Sequence, residues 1–273
     1  MSGIKSIIAV PARLDSTRLP NKLTKIIKGK TIIERVLNQC KLAKGPEDIF
    51  LCTDSSELRD LVHKLGFKVL MTPKSCKSGS ERISQVADNL IELAWSQENN
   101  GLSSYDLINE KEKETLIINV QGDQPFVNPK FIENIHNFFL KNQEIQMVTP
   151  IYKLAQDKIH SPNVVKVIKN FENKAIYFSR SAIPYIRDIK YDSWANYHQY
   201  WGHIGIYGYR GDLIRNWNNF KTSSFEDLEK LEQLKLIANG IPIECIEVSA
   251  PYLSIDSNED LLEAKKIDST KLF

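Results

Sequence analysis

Short apolar runs rich in β-branched residues alternate with amphipathic segments through the N-terminal half of the chain, and this alternation constrains the fold more than any other feature. "SIIAV" (Ser6 to Val10) is continuously apolar and cut off by Pro11, as expected of a strand buried on both faces. "TIIERVLNQCKLA" then places Ile32, Ile33, Val36, Leu37 and Cys40 at helical spacing, with Thr31 as N-cap and Glu34 completing a capping box. "DIFLCTD" reads as a second strand, "SSELRDLVHKLG" as a helix stopped by Gly66, and "KVLM" as a third strand. "SERISQVADNLIELAW" returns to helical spacing, "TLIINV" is a fourth strand ending at "QGDQPFV", "PKFIENIHNFFLKN" is a helix, and "IQMVTPIYKL" resumes strand character. Between Gln97 and Glu114 the polar stretch has no clear period and reads as an exposed excursion.

Such alternation implies an α/β fold: a mostly parallel, doubly wound sheet covered by helices on both faces. A ligand then binds beyond the carboxyl ends of the strands, where the opening loop and "QGDQP" both lie. From about Asn163 the pattern changes. "NVVKVIKN" and "KAIYFSRS" form a hairpin around "FENK", "HIGIYGYR" is a later strand, and the segment between them is rich in Tyr and Trp, suiting a substrate lobe or a subunit interface. "SFEDLEKLEQLKLIANG" is helical, "IECIEVS" strand-like, and "SIDSNEDLLEAKKI" runs from strand to helix.

Composition narrows the function. With 36 basic and 34 acidic residues the 273-residue chain carries a formal charge of only +2, so it is no general nucleic-acid binder, and any polyphosphate must be held by locally placed charge. No apolar stretch approaches a membrane span and the N-terminus has no export signature, so neither membrane insertion nor secretion is expected. Cys40, Cys52, Cys76 and Cys245 are scattered, as for reduced thiols in the cytoplasm, and the five histidines lack metal-helix spacing.

Three cations, Arg13, Arg18 and Lys22, occupy "VPARLDSTRLPNK" after the first strand. They can meet a triphosphate, or the loop can be a solvated turn. It contains no glycine, which removes the usual support for a dinucleotide fingerprint or a GKS/GKT phosphate loop, and with it a hydride-transfer reading. Asp123 follows an apolar strand, with Gly122 allowing close backbone approach. It suits a Mg²⁺ ligand or a structural turn, and a second carboxylate is needed to favour the metal. Asp256, at a strand-to-helix junction, is that candidate partner, though it and Ser257 are equally candidates for the N-cap.

Taken in order, "PARLDSTRLPNK", "CTD", "MTPKSCKSGSERI", "NVQGDQP", "NVVKVI", "YFSRSAIPY", "HIGIYGYR", "LEKLEQLK" and "SIDSNEDL" resemble the CMP-Kdo synthetases, which activate 3-deoxy-D-manno-octulosonate (Kdo) with CTP. The resemblance covers nearly the whole chain. It implies a single nucleotidyltransferase-type domain over residues 1–273, with a smaller β-rich sugar-binding and dimerisation lobe inserted at roughly 163–215. It further implies a cytoplasmic, Mg²⁺-dependent homodimer making CMP-Kdo and pyrophosphate for lipopolysaccharide biosynthesis. Arg13 and Lys22 fall at triphosphate positions, with Arg18 in the same loop, and Asp123 and Asp256 match the metal-binding pair. Together with Arg13, Lys22, Asp123 and Asp256 as the catalytic set, Ser78, Gly79, Arg82 and Gln121 lie on the nucleotide side, with Thr53 and Asp54 beside the base. Arg180, His203, Tyr207, Glu232 and Gln233 match the sugar side; without the resemblance, Tyr207 reads equally as core and Glu232 as a solvated helix position.

The sequence departs from the family pattern at Gln124, where Glu is common, at Lys235, where Arg is common, and at Cys76, Lys77 and Ser80 around "SGSER". The excursion near 97–114 is also longer than usual. These changes spare the phosphate and metal positions and bear on the choice of sugar. The alternatives are CMP activation of another acidic keto-sugar, such as 8-amino-Kdo or a sialic-acid-like sugar, and a non-catalytic nucleotide-binding protein. No protein general base is assigned.

Overall fold

The computed structural model describes residues 3–15, 19–98, 101–251, 254–255 and 257–267. In chain order the first half comprises β1 (Lys5–Ala12), a short hairpin of β2 (Ile26–Ile27) and β3 (Lys30–Thr31), α1 (Ile32–Leu42), β4 (Asp48–Thr53), α2 (Ser56–Lys64) and β5 (Lys68–Met71). It continues with α3 (Gly79–Ser84), α4 (Ala87–Trp95), α5 (Ser104–Lys111), β6 (Thr115–Val120), α6 (Pro129–Lys141) and β7 (Met147–Lys153). The second half comprises β8 (Lys166–Lys169), β9 (Ala175–Ser179), β10 (Trp201–His203), β11 (Ile206–Arg210), α7 (Gly211–Arg215), α8 (Ser224–Glu229), α9 (Leu234–Ala238), β12 (Glu244–Glu247) and α10 (Asn258–Lys266).

Among the described residues one ten-stranded sheet runs β5-β4-β1-β6-β11-β7-β10-β8-β9, with β12 also paired to β7. It is the mixed, mostly parallel sheet expected. β5, β4, β1 and β6 are mutually parallel, β11 enters antiparallel between β6 and β7, and β8 and β9 form the antiparallel hairpin around "FENK". β1 is central and every residue after Lys5 is buried, which explains its unbroken apolar run. Its side chains alternate between two cores. Ile8 and Val10 pack with Val36, Leu37 and Ile135 of α1 and α6 on one face. Ile7 and Ala9 pack with Ile83, Leu90 and Leu234 of α3, α4 and α9 on the other. Burial of each such Ile or Leu stabilises the fold by about 1.5–3 kcal/mol.

Several sequence expectations are corrected. β1 is not cut off at Pro11 but runs to Ala12 in register with β4. Pairing with β6 has already ended at Ala9 opposite Asn119, so a residue without an N–H is tolerated there. "SERISQVADNLIELAW" forms two helices, parted at Gln85 and Val86. The polar excursion contains α5, capped by Ser103, with Leu107 and Ile108 buried against Ile91 and Trp95; two apolar residues are too few to show a period. "HIGIYGYR" is divided between β10 and β11. "SFEDLEKLEQLKLIANG" breaks after α8, where Lys230 adopts a left-handed backbone with φ of 54°. At Thr31 only one half of the expected capping box forms, its side chain accepting the Glu34 N–H at 3.2 Å, whereas Ser257 forms a full capping box with Asp260.

Candidate active site

Three chain segments meet at the carboxyl ends of β1 and β6. Beyond β1, Arg13 and Asp15 lead toward a single 3₁₀ turn, Lys22–Thr24, entered through Asn21 at φ 52° and anchored by Leu23 in the core. That anchor aims Lys22 inward. Beyond β6 comes the Gln121–Gly122–Asp123 turn, and from across the sheet the start of α3 brings Ser78 and Gly79. Together with Pro11, Ala12, Cys76, Lys77 and Arg82 these residues line an open cleft of about 260 Å³. Its walls are close-packed at two glycines. A Cβ on Gly79 would lie 3.1 Å from Pro11 and 3.2 Å from the Gln121 amide, and one on Gly122 would lie 3.3 Å from the Pro11 carbonyl. Each is a tighter approach than side-chain-bearing residues normally make.

The charges in the cleft are arranged in pairs. Lys22 Nζ donates to Asp123 Oδ2 at 2.7 Å. Arg82, only 3% exposed, spreads its guanidinium between Thr72 Oγ1 at 2.5 Å and Asp54 Oδ2 at 3.0 Å, as a buried cation must. Arg13 is exposed at the mouth. Thus Arg13, Lys22, Ser78, Gly79, Arg82, Gln121 and Asp123 converge on one cavity. Asp54 sits behind Arg82 as its counter-ion. Thr53 is fully buried at the end of β4, where its hydroxyl accepts the Ser55 N–H. Arg18 and Asp256 lie outside the described residues, although Ile255, which precedes Asp256 in sequence, donates its N–H to the Asp123 carbonyl at 3.0 Å.

Four of the five sugar-side positions gather behind the α3 wall. Glu232 and Gln233 occupy the break between α8 and α9, and Glu232 Oε2 accepts the Ser80 N–H at 2.9 Å. It is not a solvated helix position. Burial pushes its carboxyl up from the ordinary range, against opposing hydrogen bonds from Ser80, Ser78 and Gly79. Gln233 is 1% exposed. Its Oε1 accepts from the Tyr207 hydroxyl at 3.2 Å, while Nε2 has no hydrogen-bond partner among the described residues. Burial, with Glu232 nearby, holds the Tyr207 hydroxyl well above its usual range.

His203 Nε2 lies 3.0 Å from Thr149 Oγ1, and Thr149 directs its one proton to the carbonyls of Ile204 and Ile206. Nε2 of His203 is therefore the donor in that contact. Burial pushes this imidazole down to about 3, so it is neutral near pH 7. Arg180 stands apart from the four: its Nε donates to the Glu229 carbonyl at 2.7 Å and its Nη1 to the Pro162 carbonyl at 3.1 Å.

The departures from the family pattern also find roles. Gln124 Nε2 donates to the Gly205 carbonyl at 3.4 Å, which a glutamate carboxylate could not do. The Lys235 ammonium lies 5.4 Å from the centre of the Trp217 ring, and Ser80 Oγ is 2.6 Å from the Tyr209 hydroxyl. Sequence reasoning passed over Asn119, Thr149 and Tyr209. Asn119 did leave a signal, as the one amide in the buried run "TLIINV": its Oδ1 accepts from Gln121 Nε2 at 3.2 Å.

Asp123 supplies a hard oxygen donor in an open, polar cleft, which suits Mg²⁺. Among the described residues, however, no group of three or more His, Cys, Asp or Glu side chains forms a metal cage. Magnesium itself favours one or two carboxylates with the remaining positions left to phosphate and water, so the cleft fits a metal that arrives with a nucleotide. No helix of the described residues is long and apolar enough to cross a membrane.

Comparison with known proteins agrees with this geometry. The family model described as Cytidylyltransferase matches residues 7–94 and 95–246. A 3-deoxy-manno-octulosonate cytidylyltransferase of Myxococcus xanthus (strain DK1622) is 33% identical over 262 residues, spanning 96% of this chain and 95% of that protein. The enzyme named 3-deoxy-manno-octulosonate cytidylyltransferase 2 of Actinobacillus pleuropneumoniae serotype 5b (strain L20) is 36% identical over 273 residues, spanning 98% and 100%. A solved structure of CMP:2-keto-3-deoxy-manno-octonic acid synthetase in complex with CTP superposes with a TM-score of 0.79 at 30% identity, covering 96% of this chain and 97% of that one. With near-complete coverage in both directions, the chain belongs to the 3-deoxy-manno-octulosonate cytidylyltransferase family.

Proposed function

We propose that this protein transfers CMP from CTP to the anomeric hydroxyl of 3-deoxy-D-manno-octulosonate, releasing pyrophosphate and supplying CMP-Kdo for lipopolysaccharide biosynthesis. The observation that carries the reading is the convergence of Arg13, Lys22 and Asp123 on one glycine-walled cleft at the ends of β1 and β6, in a chain whose fold matches a CTP-complexed synthetase. Arg13 and Lys22 hold the β- and γ-phosphates, while Ser78, Gly79, Arg82 and Gln121 form the wall along the rest of the nucleotide. As CTP enters, the Lys22 ammonium exchanges Asp123 for phosphate oxygens and frees that carboxylate.

Asp123 and Asp256 are the residues that hold Mg²⁺, and the hydrogen bond from Ile255 to Asp123 supports their pairing. When bound, the metal lowers the pKa of the attacking hydroxyl and stabilises charge on the phosphate oxygens. The protein's own part is positioning and charge neutralisation: in-line placement of the sugar hydroxyl against the α-phosphorus, and cations waiting where the leaving pyrophosphate gathers charge. Neutral His203, Tyr207, Gln233 and Arg180 supply the polar surface for an acidic, hydroxyl-rich sugar.

The assembly is a homodimer through the lobe at roughly 163–215, a reading supported by the half or more exposure of Tyr185, Tyr191 and Tyr197. The protein works in the cytoplasm, in keeping with four free, buried cysteines. The test is pyrophosphate release from CTP with Mg²⁺ across a panel of Kdo, 8-amino-Kdo and a sialic acid. A higher kcat/KM for Kdo is expected; preference for either other sugar reassigns the substrate.

A further inference from the structure

Buried polar contacts beneath the cleft floor hold each of its two walls. Gln121 Nε2 donates to Asn119 Oδ1 at 3.2 Å, while the Tyr209 hydroxyl lies 2.6 Å from Ser80 Oγ. The Ser80 N–H in turn reaches Glu232 Oε2 at 2.9 Å. Asn119 and Ser80 are fully buried and Tyr209 is inaccessible to solvent. The turn at Gln121 is thus tied to the buried Asn119, and the start of α3 to the buried Tyr209 and to Glu232. Glu232 is the anchor of α3 on the α8–α9 side, held at that place by the left-handed backbone of Lys230.

We propose that Glu232 is a positioning residue for the nucleotide, its carboxylate holding the Ser78–Ser80 turn in the place where that turn forms the cleft wall. The proposal rests on the reading that CTP occupies the cleft. A carboxylate that accepts the Ser80 N–H at 2.9 Å fixes a turn whose glycine sits 3.1 Å, at a virtual Cβ, from Pro11 and 3.2 Å from Gln121. There is little space for the wall to shift without closing on the cleft, and without Glu232 the Ser80 N–H loses its acceptor. The cost therefore falls on CTP binding even when no sugar is present, which distinguishes positioning from direct contact with the sugar.

The test is CTP affinity measured calorimetrically with Mg²⁺ and without sugar, for the wild type, Glu232→Ala, Glu232→Gln and Tyr209→Phe, alongside the thermal midpoint of each. Glu232→Ala is expected to weaken CTP about tenfold, as loss of hydrogen bonds to a charged acceptor does. Glu232→Gln, whose amide oxygen still accepts the Ser80 N–H, should recover most of that loss, and Tyr209→Phe should weaken CTP severalfold. Unchanged CTP affinity in Glu232→Ala, with only the KM for sugar raised, would overturn the proposal. If Glu232→Ala does not fold, Tyr209→Phe decides: it frees Ser80 Oγ, and full CTP affinity there overturns the proposal that this buried support sets the cleft wall. A wild-type protein that binds no CTP would instead overturn the underlying reading of the cleft.

Discussion

Lys22 Nζ and Asp123 Oδ2 lie 2.7 Å apart at the mouth of the cleft, joining the loop after β1 to the turn after β6. The lysine side chain is 12% exposed and the carboxylate 31%, so the pair is open enough for a ligand to compete for it. A triphosphate offers Lys22 more negative charge than one carboxylate, and a divalent cation offers Asp123 more positive charge than one ammonium. On the proposed reading, the pair is a resting arrangement that CTP and a divalent cation would together replace.

Asp123→Asn keeps the shape of the side chain and removes its charge. Mg²⁺-dependent turnover is expected to fall about a hundredfold or more, with little change in the thermal midpoint because the Asp123 carbonyl still accepts from Ile255. Steady-state pyrophosphate release against Mg²⁺ concentration checks this; near-normal activity would remove Asp123 from the metal site.

Lys22→Ala deletes the ammonium and leaves Leu23 to anchor the 3₁₀ turn. The KM for CTP should rise about tenfold or more, in line with loss of a charge-assisted contact, while the KM for sugar changes little. An unchanged dependence on CTP would count against a phosphate role.

His203 links stability to pH. Its folded-state pKa of about 3 lies below the ordinary value of 6.5 because burial disfavours the imidazolium. Between those values the unfolded chain takes up a proton that the native chain does not, so this residue's contribution is present above pH 6.5 and is lost as pH falls toward 3. Urea midpoints across that range should decline less steeply in His203→Gln than in the wild type. Parallel declines would show that His203 is not held neutral.

Leu107 tests the role of the polar excursion. It is 2% exposed in α5 against Trp95, whose ring also carries the ammonium groups of Lys5 and Lys111 at 4.7 and 4.8 Å. Leu107→Ala should cost about 2–5 kcal/mol in denaturant unfolding, with the KM for CTP unchanged. A kinetic defect without lost stability would give the segment a direct role in the site.

What the sequence revealed and what it hid divides along chain separation. The strand at Ser6–Val10, the cap at Thr31 and the stop at Gly66 are set by neighbouring residues, and local pattern finds them. The break at Lys230 depends on a backbone conformation unusual for lysine and invisible to an apolar period. The Ser80–Tyr209 contact joins residues 129 positions apart, and only the fold brings them together. Family resemblance pointed to Glu232 and Gln233, but their burial behind α3 emerged from the structure. Asn119 was legible in principle, since an amide inside a buried strand needs a partner.

The central claim is that the cleft directs attack to the α-phosphorus of CTP, and phosphorus NMR of a reaction containing CTP, Kdo and Mg²⁺ tests it most directly. The expected result is pyrophosphate and a CMP-Kdo phosphodiester in equal amounts. Formation of CDP with a phosphorylated sugar, or binding of CTP without turnover of any sugar in the panel, would contradict it.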